Sequence, residues 1–207
     1  MIPHILPKYP HSDDCGPFRK LMSQVNTKNL RLLNSVFDDA HNYCADAPVD
    51  NSIEEEKCIG ARTHGLASMR VAGIEMNAVA AENLRCQDPA FRFILSWPEH
   101  ERPDSNLVCD AAEHAIKSLG LHDHQYIIWV FGHTDNIHCQ ALVNRIHPET
   151  FKSHHIAWSK KTLHLAARES EIKYGWSHDD GIYVVEQDSN NQKHIVLNKK
   201  YVNGRMS

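Results

Sequence analysis

The sequence feature that most constrains the fold is the run QYIIWVFG at residues 125–132, which carries no charge and is almost wholly apolar. Such a run is typical of a buried strand. Residues 133–136 (HTDN) are turn formers, and apolar residues return at 138–146. The sequence therefore predicts a β-hairpin made of two consecutive strands.

Helix and strand signals surround this hairpin. Period-2 alternation predicts a strand at 90–97, and a small hairpin is expected from 182–185 and 194–197 around a polar turn at 188–191. Helical apolar spacing occurs at 18–25, 29–37, 68–84 with Ser68 as N-cap, from Pro103-Asp104 to Gly120, and at 159–173, while 47–52 resembles a loop. This order favours an α+β fold, a two-layer sandwich in which a central antiparallel sheet carries helices on one face.

Composition limits the class of protein. A length of 207 residues suits a single domain. The net charge of −4 excludes a uniformly basic nucleic-acid binder, although residues 151–207, with nine Lys and Arg against six Asp and Glu, form a basic end. We expect a cytoplasmic bacterial protein without a membrane span or signal peptide, with six scattered cysteines in the reduced state.

The candidate chemistry lies in the predicted central hairpin. His138 and Gln140 are two residues apart on one strand, so both side chains leave the same face. His133 lies in the turn, from which it can fold back toward them. Two imidazoles and an amide oxygen can hold a divalent cation such as Mg²⁺, Mn²⁺ or Zn²⁺. The alternative is that these are surface histidines, because the chain contains 16 histidines in all.

Several segments resemble one protein family when they are taken together. These segments are LSWPEHE, TDNIH, NRIHPET and IKYGWSHDDG, within a similarity that extends from about residue 54 to 185. The combination resembles the N-terminal domain of plasmid mobilisation relaxases, in the HUH endonuclease superfamily. On this resemblance the chain divides into a divergent part at 1–52, a core at 53–175 and a C-terminal hairpin and tail at 176–207, all within a single domain at 1–207.

The resemblance implies a function as well as a fold. Such domains bind the origin of transfer of a conjugative element, partly as single-stranded DNA. A tyrosine attacks the scissile phosphate and forms a 5′-phosphotyrosine bond, while a metal on the sheet neutralises charge. Other proteins of the relaxosome are further expected partners.

The metal positions of the family pattern are only partly matched. Relaxases of this type read approximately His-x-Asp-Thr-Asp-Asn-x-His-x-His across the hairpin. In an ungapped alignment His138 matches the second histidine, Phe131 occupies the first position and Gln140 the third. A gapped alignment makes His133 the first ligand instead. Arg92 stands where the family usually has a histidine on the preceding strand.

The nucleophile has two candidate frames. Residues 16–23 fit the family's N-terminal signature, but the tyrosine position is then Gln24, and a neutral amide cannot attack a phosphate. A second frame with the same spacing, which includes Phe37 and Ala40, supplies Tyr43. Tyr43 is therefore the candidate nucleophile, and its alternative role is that of an ordinary packed helix residue.

Three functional hypotheses follow. The leading one is a relaxase-fold protein that binds origin DNA while its nicking activity is impaired or absent. The second is an active nickase that uses Tyr43 with His133, His138 and Gln140. The third is a non-catalytic interaction subunit of the relaxosome. The sequence leaves open whether the chain is a whole protein or an excised N-terminal domain.

DNA binding would draw on basic and aromatic side chains. Lysine and arginine bind the phosphate backbone, and tryptophan stacks on bases. The predicted phosphate contacts are Arg92, Arg145, Lys152, Lys160, Lys161, Arg168 and Lys173. The four tryptophans Trp97, Trp129, Trp158 and Trp176 are the stacking candidates, although Trp129 lies in an apolar strand and is expected in the core.

Overall fold

The structure is a computed structural model that describes residues 1–6, 16–24, 58–132 and 136–202. Its strands are β1 (Ile2–Ile5), β2 (Cys58–His64), β3 (Ala90–Ser96), β4 (Tyr126–Phe131), β5 (His138–Asn144), β6 (Tyr183–Gln187) and β7 (Lys193–Leu197). Its helices are α1 (Pro17–Gln24), α2 (Ala72–Ala81), α3 (Ser105–Ser118), α4 (Ser159–Tyr174) and α5 (Lys199–Val202).

Five strands form one antiparallel sheet in the order β1-β3-β5-β4-β2, and β6 pairs with β7 in a separate two-stranded sheet. The predicted hairpin is confirmed as β4 and β5, which lie at the centre. Every residue of β4 is buried. A central strand with two buried faces accounts for the uninterrupted apolar run in the sequence.

Helices cover both faces of the sheet. On one side, α3 and α4 enclose a core that contains Phe93, Leu95 and Val130. On the other side, α1 and α2 pack over Trp129 and Leu142. The prediction of an α+β fold with a central antiparallel sheet and flanking helices is confirmed. The expectation of helices on one face alone is wrong, because β4 is apolar on both faces and helices bury each of them.

Local signals set the helix ends. Asp104 begins α3 as predicted, since its carboxylate accepts a hydrogen bond from Asn106 N at 2.8 Å. Gly120 follows this helix at φ +77°, a left-handed conformation that favours glycine. Ser68 is not the N-cap of α2, because that position is occupied by Val71. The predicted helix at 29–37 and the loop at 47–52 lie outside the described residues.

The sequence patterns do not predict two strands of the sheet, β1 and β2. β1 has only four residues and contains Pro3, which is tolerated because β1 is an edge strand. β2 has a register irregularity between Cys58 and Gly60. Of the cysteines that the structure describes, Cys58, Cys86, Cys109 and Cys139 are free thiols. Within the described residues, no helix is long and apolar enough to cross a membrane.

Candidate functional site

His138 and Gln140 lie at the start of β5 on the same face, as their spacing predicts. Each faces a β3 residue on one side and an aromatic of β4 on the other. His138 lies opposite Ser96 and Phe131, and Gln140 lies opposite Ile94 and Trp129. Cys139, between them, points to the other face and is fully buried. The two polar side chains therefore share the side of the sheet on which α1 and α2 pack.

Part of this side is accessible. We use the name open face for Ile2, His4, Arg92, Ile94, Ser96, His138 and Gln140, all of which are exposed or half-buried. The opposite side, packed by α3 and α4, is the closed face. The open face spans β1, β3 and β5, so β1 brings His4 into the same row as Gln140. The sequence did not indicate His4, although the alternation Ile2, His4 beside Pro3 fits an edge strand.

The imidazole of His138 stacks on the ring of Phe131, with centroids 5.1 Å apart and an interplanar angle of 19°. Phe131 is buried, and its side chain belongs to the core beneath α1 and α2. Stacking on Phe131 helps to fix the orientation of the imidazole. The position that the ungapped family pattern gives to a first histidine is thus filled by an apolar ring that supports the second.

A cavity of about 60 Å³ opens beside Gln140. Arg92, Leu21 and Trp129 are among its lining residues. The volume admits a few water molecules but not a nucleotide. Arg92 places a permanent positive charge in the same cavity as Gln140. The indole Nε1 of Trp129 is buried and lacks a hydrogen-bond partner among the described residues. The cavity therefore combines the positive charge of Arg92 with the amide of Gln140, a setting that suits an anionic group.

The donor set within the described part of the chain fits a divalent cation poorly. No group of three or more His, Cys, Asp or Glu side chains suited to a metal occurs within the described residues. His133 lies outside them. The remaining candidates, His138 and Gln140, supply one imidazole and one amide oxygen, while Arg92 repels a cation from the same cavity.

The first nucleophile frame falls on α1. Leu21 of this helix lines the cavity with Gln140, so α1 packs directly beside the candidate site. Asn77 of α2 fixes the start of the helix, because its Oδ1 accepts a hydrogen bond from Phe18 N at 3.1 Å. The helix ends at Gln24, one turn beyond Leu21. Tyr43, the nucleophile of the second frame, lies outside the described residues.

Comparison with known proteins identifies the family. Residues 43–176, well over half of the chain, match the nuclease domain of MobA/VirD2-like relaxases. The chain belongs to this relaxase family. The match begins at Tyr43 and includes both strands of the central hairpin, so the resemblance inferred from the sequence is confirmed.

Curated relatives agree with this assignment. Protein MobA of Acidithiobacillus ferrooxidans is 34% identical over 128 residues, which cover 60% of this chain and 31% of that protein. Two proteins named TraI from Escherichia coli are 27% and 28% identical, over 58% and 55% of this chain. These matches cover 18% and 15% of the two TraI proteins. The chain thus spans less than a third of each relative.

The structure separates the predicted phosphate contacts of this relaxase domain into two groups. Arg145 is largely buried, and its guanidinium donates to Asp88 O at 2.7 Å and to His154 O at 3.1 Å. Arg168 is 1% exposed and binds Met1 O and the carboxylate of Glu171. Both side chains are committed to the fold, so a phosphate cannot reach Arg168 and has little access to Arg145.

The other predicted contacts are reachable. Arg92 lies on the open face, and Lys152 and Lys160 are exposed. Lys161 lies over the ring of Trp158, with Nζ 4.9 Å from the ring centroid. Lys173 is exposed on the closed side, where its Nζ lies 4.7 Å from the ring centroid of Tyr174.

Proposed function

We propose that this relaxase domain binds single-stranded origin-of-transfer DNA on its open face, as part of conjugative transfer, and that its nicking activity is impaired or absent. The observation that carries the proposal is the cavity shared by Arg92 and Gln140. Family membership supports DNA binding, and the positive charge of Arg92 in the cavity supports recognition of a phosphate rather than of a metal.

The binding step follows from charge and geometry. A single strand of DNA lying across β1, β3 and β5 would bring a phosphate to Arg92. A guanidinium can form paired hydrogen bonds with phosphate oxygens. His138, held by Phe131, would donate or accept a hydrogen bond at the neighbouring position. The described residues of the open face are exposed or half-buried before binding and are therefore accessible to the DNA.

The impairment of nicking follows from the residues at the metal positions of the family pattern, two of which lack an imidazole. In relaxases of this family a metal ion on the sheet is expected to stabilise the charge that develops on the phosphate. Phe131 offers no lone pair, and Gln140 offers a neutral oxygen in place of an imidazole. The guanidinium of Arg92 can bind the ground-state phosphate by hydrogen bonds, but it cannot coordinate a phosphate oxygen as a metal ion would.

A binding titration tests the first part. Single-stranded oligonucleotides carrying candidate origin sequence should bind at about 50 mM salt and weaken steeply toward about 200 mM, because phosphate contacts release counterions. Arg92→Met should weaken binding at both concentrations. The control is Lys117→Ala, a loss of one positive charge on α3 of the closed side. Absence of binding at the lower salt concentration would overturn the proposal and favour a non-catalytic interaction subunit.

A metal and cleavage assay tests the second part. Calorimetry with Mn²⁺ should show weak binding to the wild-type protein and at least tenfold tighter binding to Gln140→His, which adds an imidazole beside His138. Incubation of the wild-type protein with origin DNA and Mn²⁺ should give no covalent adduct. An adduct that disappears in Tyr43→Phe would instead establish an active nickase that uses Tyr43.

A further inference from the structure

One tryptophan differs from the other three in its surroundings. Trp97, Trp129 and Trp176 are at most 8% exposed, whereas Trp158 is 74% exposed. An exposed indole of this size is unusual on a folded domain, and large exposed apolar groups commonly mark binding sites. The burial of Trp97, Trp129 and Trp176 removes them as stacking candidates and leaves Trp158.

The backbone holds Trp158 in a fixed position. Its φ of 59° and ψ of 18° are left-handed values that bulky residues rarely adopt. Its carbonyl accepts hydrogen bonds from Thr162 N at 3.0 Å and Thr162 Oγ1 at 3.3 Å, which attach it to the first turn of α4. Non-glycine residues in this conformation occur preferentially at functional sites.

Positive charges surround the indole. The segment 151–161 (FKSHHIAWSKK) contains three lysines and two histidines but no acidic residue. Lys161 lies over the Trp158 ring with Nζ 4.9 Å from its centroid, and the indole remains 74% exposed, so much of its surface is accessible to a planar ligand. Lys160 is exposed beside them. An aromatic surface next to cations fits a nucleobase and its phosphates.

This segment adjoins the open face through the edge strand. β1 packs beside α4, where the guanidinium of Arg168 donates a hydrogen bond to the carbonyl oxygen of Met1. Lys160 is also close enough to His164 to help lower the pKa of that imidazole. A single DNA strand that leaves the open face over β1 would next meet α4, whose first turn carries Lys160 and follows directly on Trp158.

We propose that Trp158, with Lys160 and Lys161, forms a second DNA subsite that stacks one base of a single strand as it leaves the open face over β1. The inference rests on the proposed DNA-binding function and adds a defined position for the strand. Stacking is non-ionic and the lysine contacts are ionic, so their contributions can be separated by salt dependence.

The test compares variants in titrations against an oligothymidine. Trp158→Ala should weaken binding about tenfold without altering the salt dependence, since one stacked base is lost and no phosphate contact changes. Trp158→Phe should recover most of the affinity. The double variant Lys160→Ala, Lys161→Ala should reduce the slope of log K against log salt by about 1.4, which corresponds to two phosphates of a single strand.

Two controls make the result specific. Leu84→Ala removes another exposed apolar side chain, 92% accessible, and should leave affinity unchanged. An oligonucleotide that lacks bases but keeps the sugar-phosphate backbone should bind wild type and Trp158→Ala equally. DNA should also protect Trp158 fluorescence from iodide, whereas the three buried tryptophans should be insensitive to iodide throughout.

The outcomes separate this inference from the function on which it rests. If the wild-type protein binds the oligonucleotide and Trp158→Ala binds it equally well, the stacking subsite is wrong and the open-face function stands. If Trp158→Ala weakens the base-free backbone as strongly as the oligothymidine, the stacking inference is also wrong. If the wild-type protein binds no single strand at low salt, the proposed function and the subsite both fail.

Discussion

Neighbouring residues of β3 meet two different environments. Phe91, Phe93 and Leu95 point to the closed face and are at most 5% exposed, whereas Arg92 and Ile94 on the open face are half-buried. The same alternation occurs in β5, where Cys139 is buried between His138 and Gln140. One strand thus contributes to a dry core on one side and to an accessible polar surface on the other.

This difference separates stability from chemistry within the same strands. The closed face depends on close packing against α3 and α4, so its residues are constrained by volume and apolarity. The open face has polar neighbours and access to solvent, so a change there alters binding more than folding. A relaxase sheet can consequently keep its fold while the residues at ligand positions change, which is what our functional proposal requires of Phe131, Gln140 and Arg92.

Truncation of core side chains tests the difference between the two faces most directly. Phe93→Ala should lower the free energy of unfolding by about 3–5 kcal/mol, because it empties a fully buried position on the closed face. Ile94→Ala, the next residue and on the open face, should cost about 1 kcal/mol since its side chain is half-exposed. Urea denaturation measures both. Equal losses would show that the two faces contribute alike.

Two arginines differ in the same way, one in the core and one on the open face. Arg168→Met should lower the free energy of unfolding by about 3 kcal/mol, because the buried carboxylate of Glu171 loses a charged partner. Arg92→Met should change stability by less than about 1 kcal/mol while reducing the salt dependence of DNA binding by about 0.7. Thermal unfolding and a salt titration of both variants give four values. If Arg168→Met reduced the salt dependence of DNA binding without lowering stability, our assignment of a structural role to that side chain would be wrong.

The sequence predicted the elements whose signal is local. The strand expected at 90–97 is Ala90–Ser96, and the helix expected at 159–173 is Ser159–Tyr174, because apolar periodicity reports burial directly. β1 and β2 were missed for a physical reason. A four-residue segment that contains Pro3 becomes a strand only through its pairing with β3, and that pairing is a property of the tertiary fold.

The candidate site was predictable to a similar extent. A period of two residues correctly placed His138 and Gln140 on one face. Charge alone could not distinguish Arg92 from Arg168, because the partners of Arg168 include the carbonyl of Met1, 167 positions away. Exposure of Trp158 was likewise invisible in the sequence, since its position at the start of α4 resembles that of an ordinary packed aromatic.

The closed side should also respond to acid. Burial and the nearby charges of Arg168, Lys160 and His4 lower the pKa of His164 to about 4, below the ordinary value of 6.5. The unfolded chain therefore takes up this proton first, and stability that is complete above pH 6.5 is lost as pH falls through 4. The loss amounts to about 2–3 kcal/mol.

His164→Gln tests this acid response, because the amide cannot take up the proton. Between pH 6.5 and 4 its free energy of unfolding should fall by about 2–3 kcal/mol less than that of the wild-type protein. His155→Gln, at an exposed position, provides the control. Urea titrations at several pH values give the comparison, and parallel pH profiles for wild type and His164→Gln would contradict the expectation.

The smallest effect on stability is expected at Gln140. Gln140→Leu should change the free energy of unfolding by less than about 1 kcal/mol, because the side chain is half-buried and an apolar group of similar size can pack against Trp129. Cys139→Ser is the matched variant on the closed face. It places a hydroxyl in a fully buried site and should cost about 1–3 kcal/mol. If Gln140→Leu proved the more damaging of the two, Gln140 would be a structural anchor, and the open face would lose its distinction from the core.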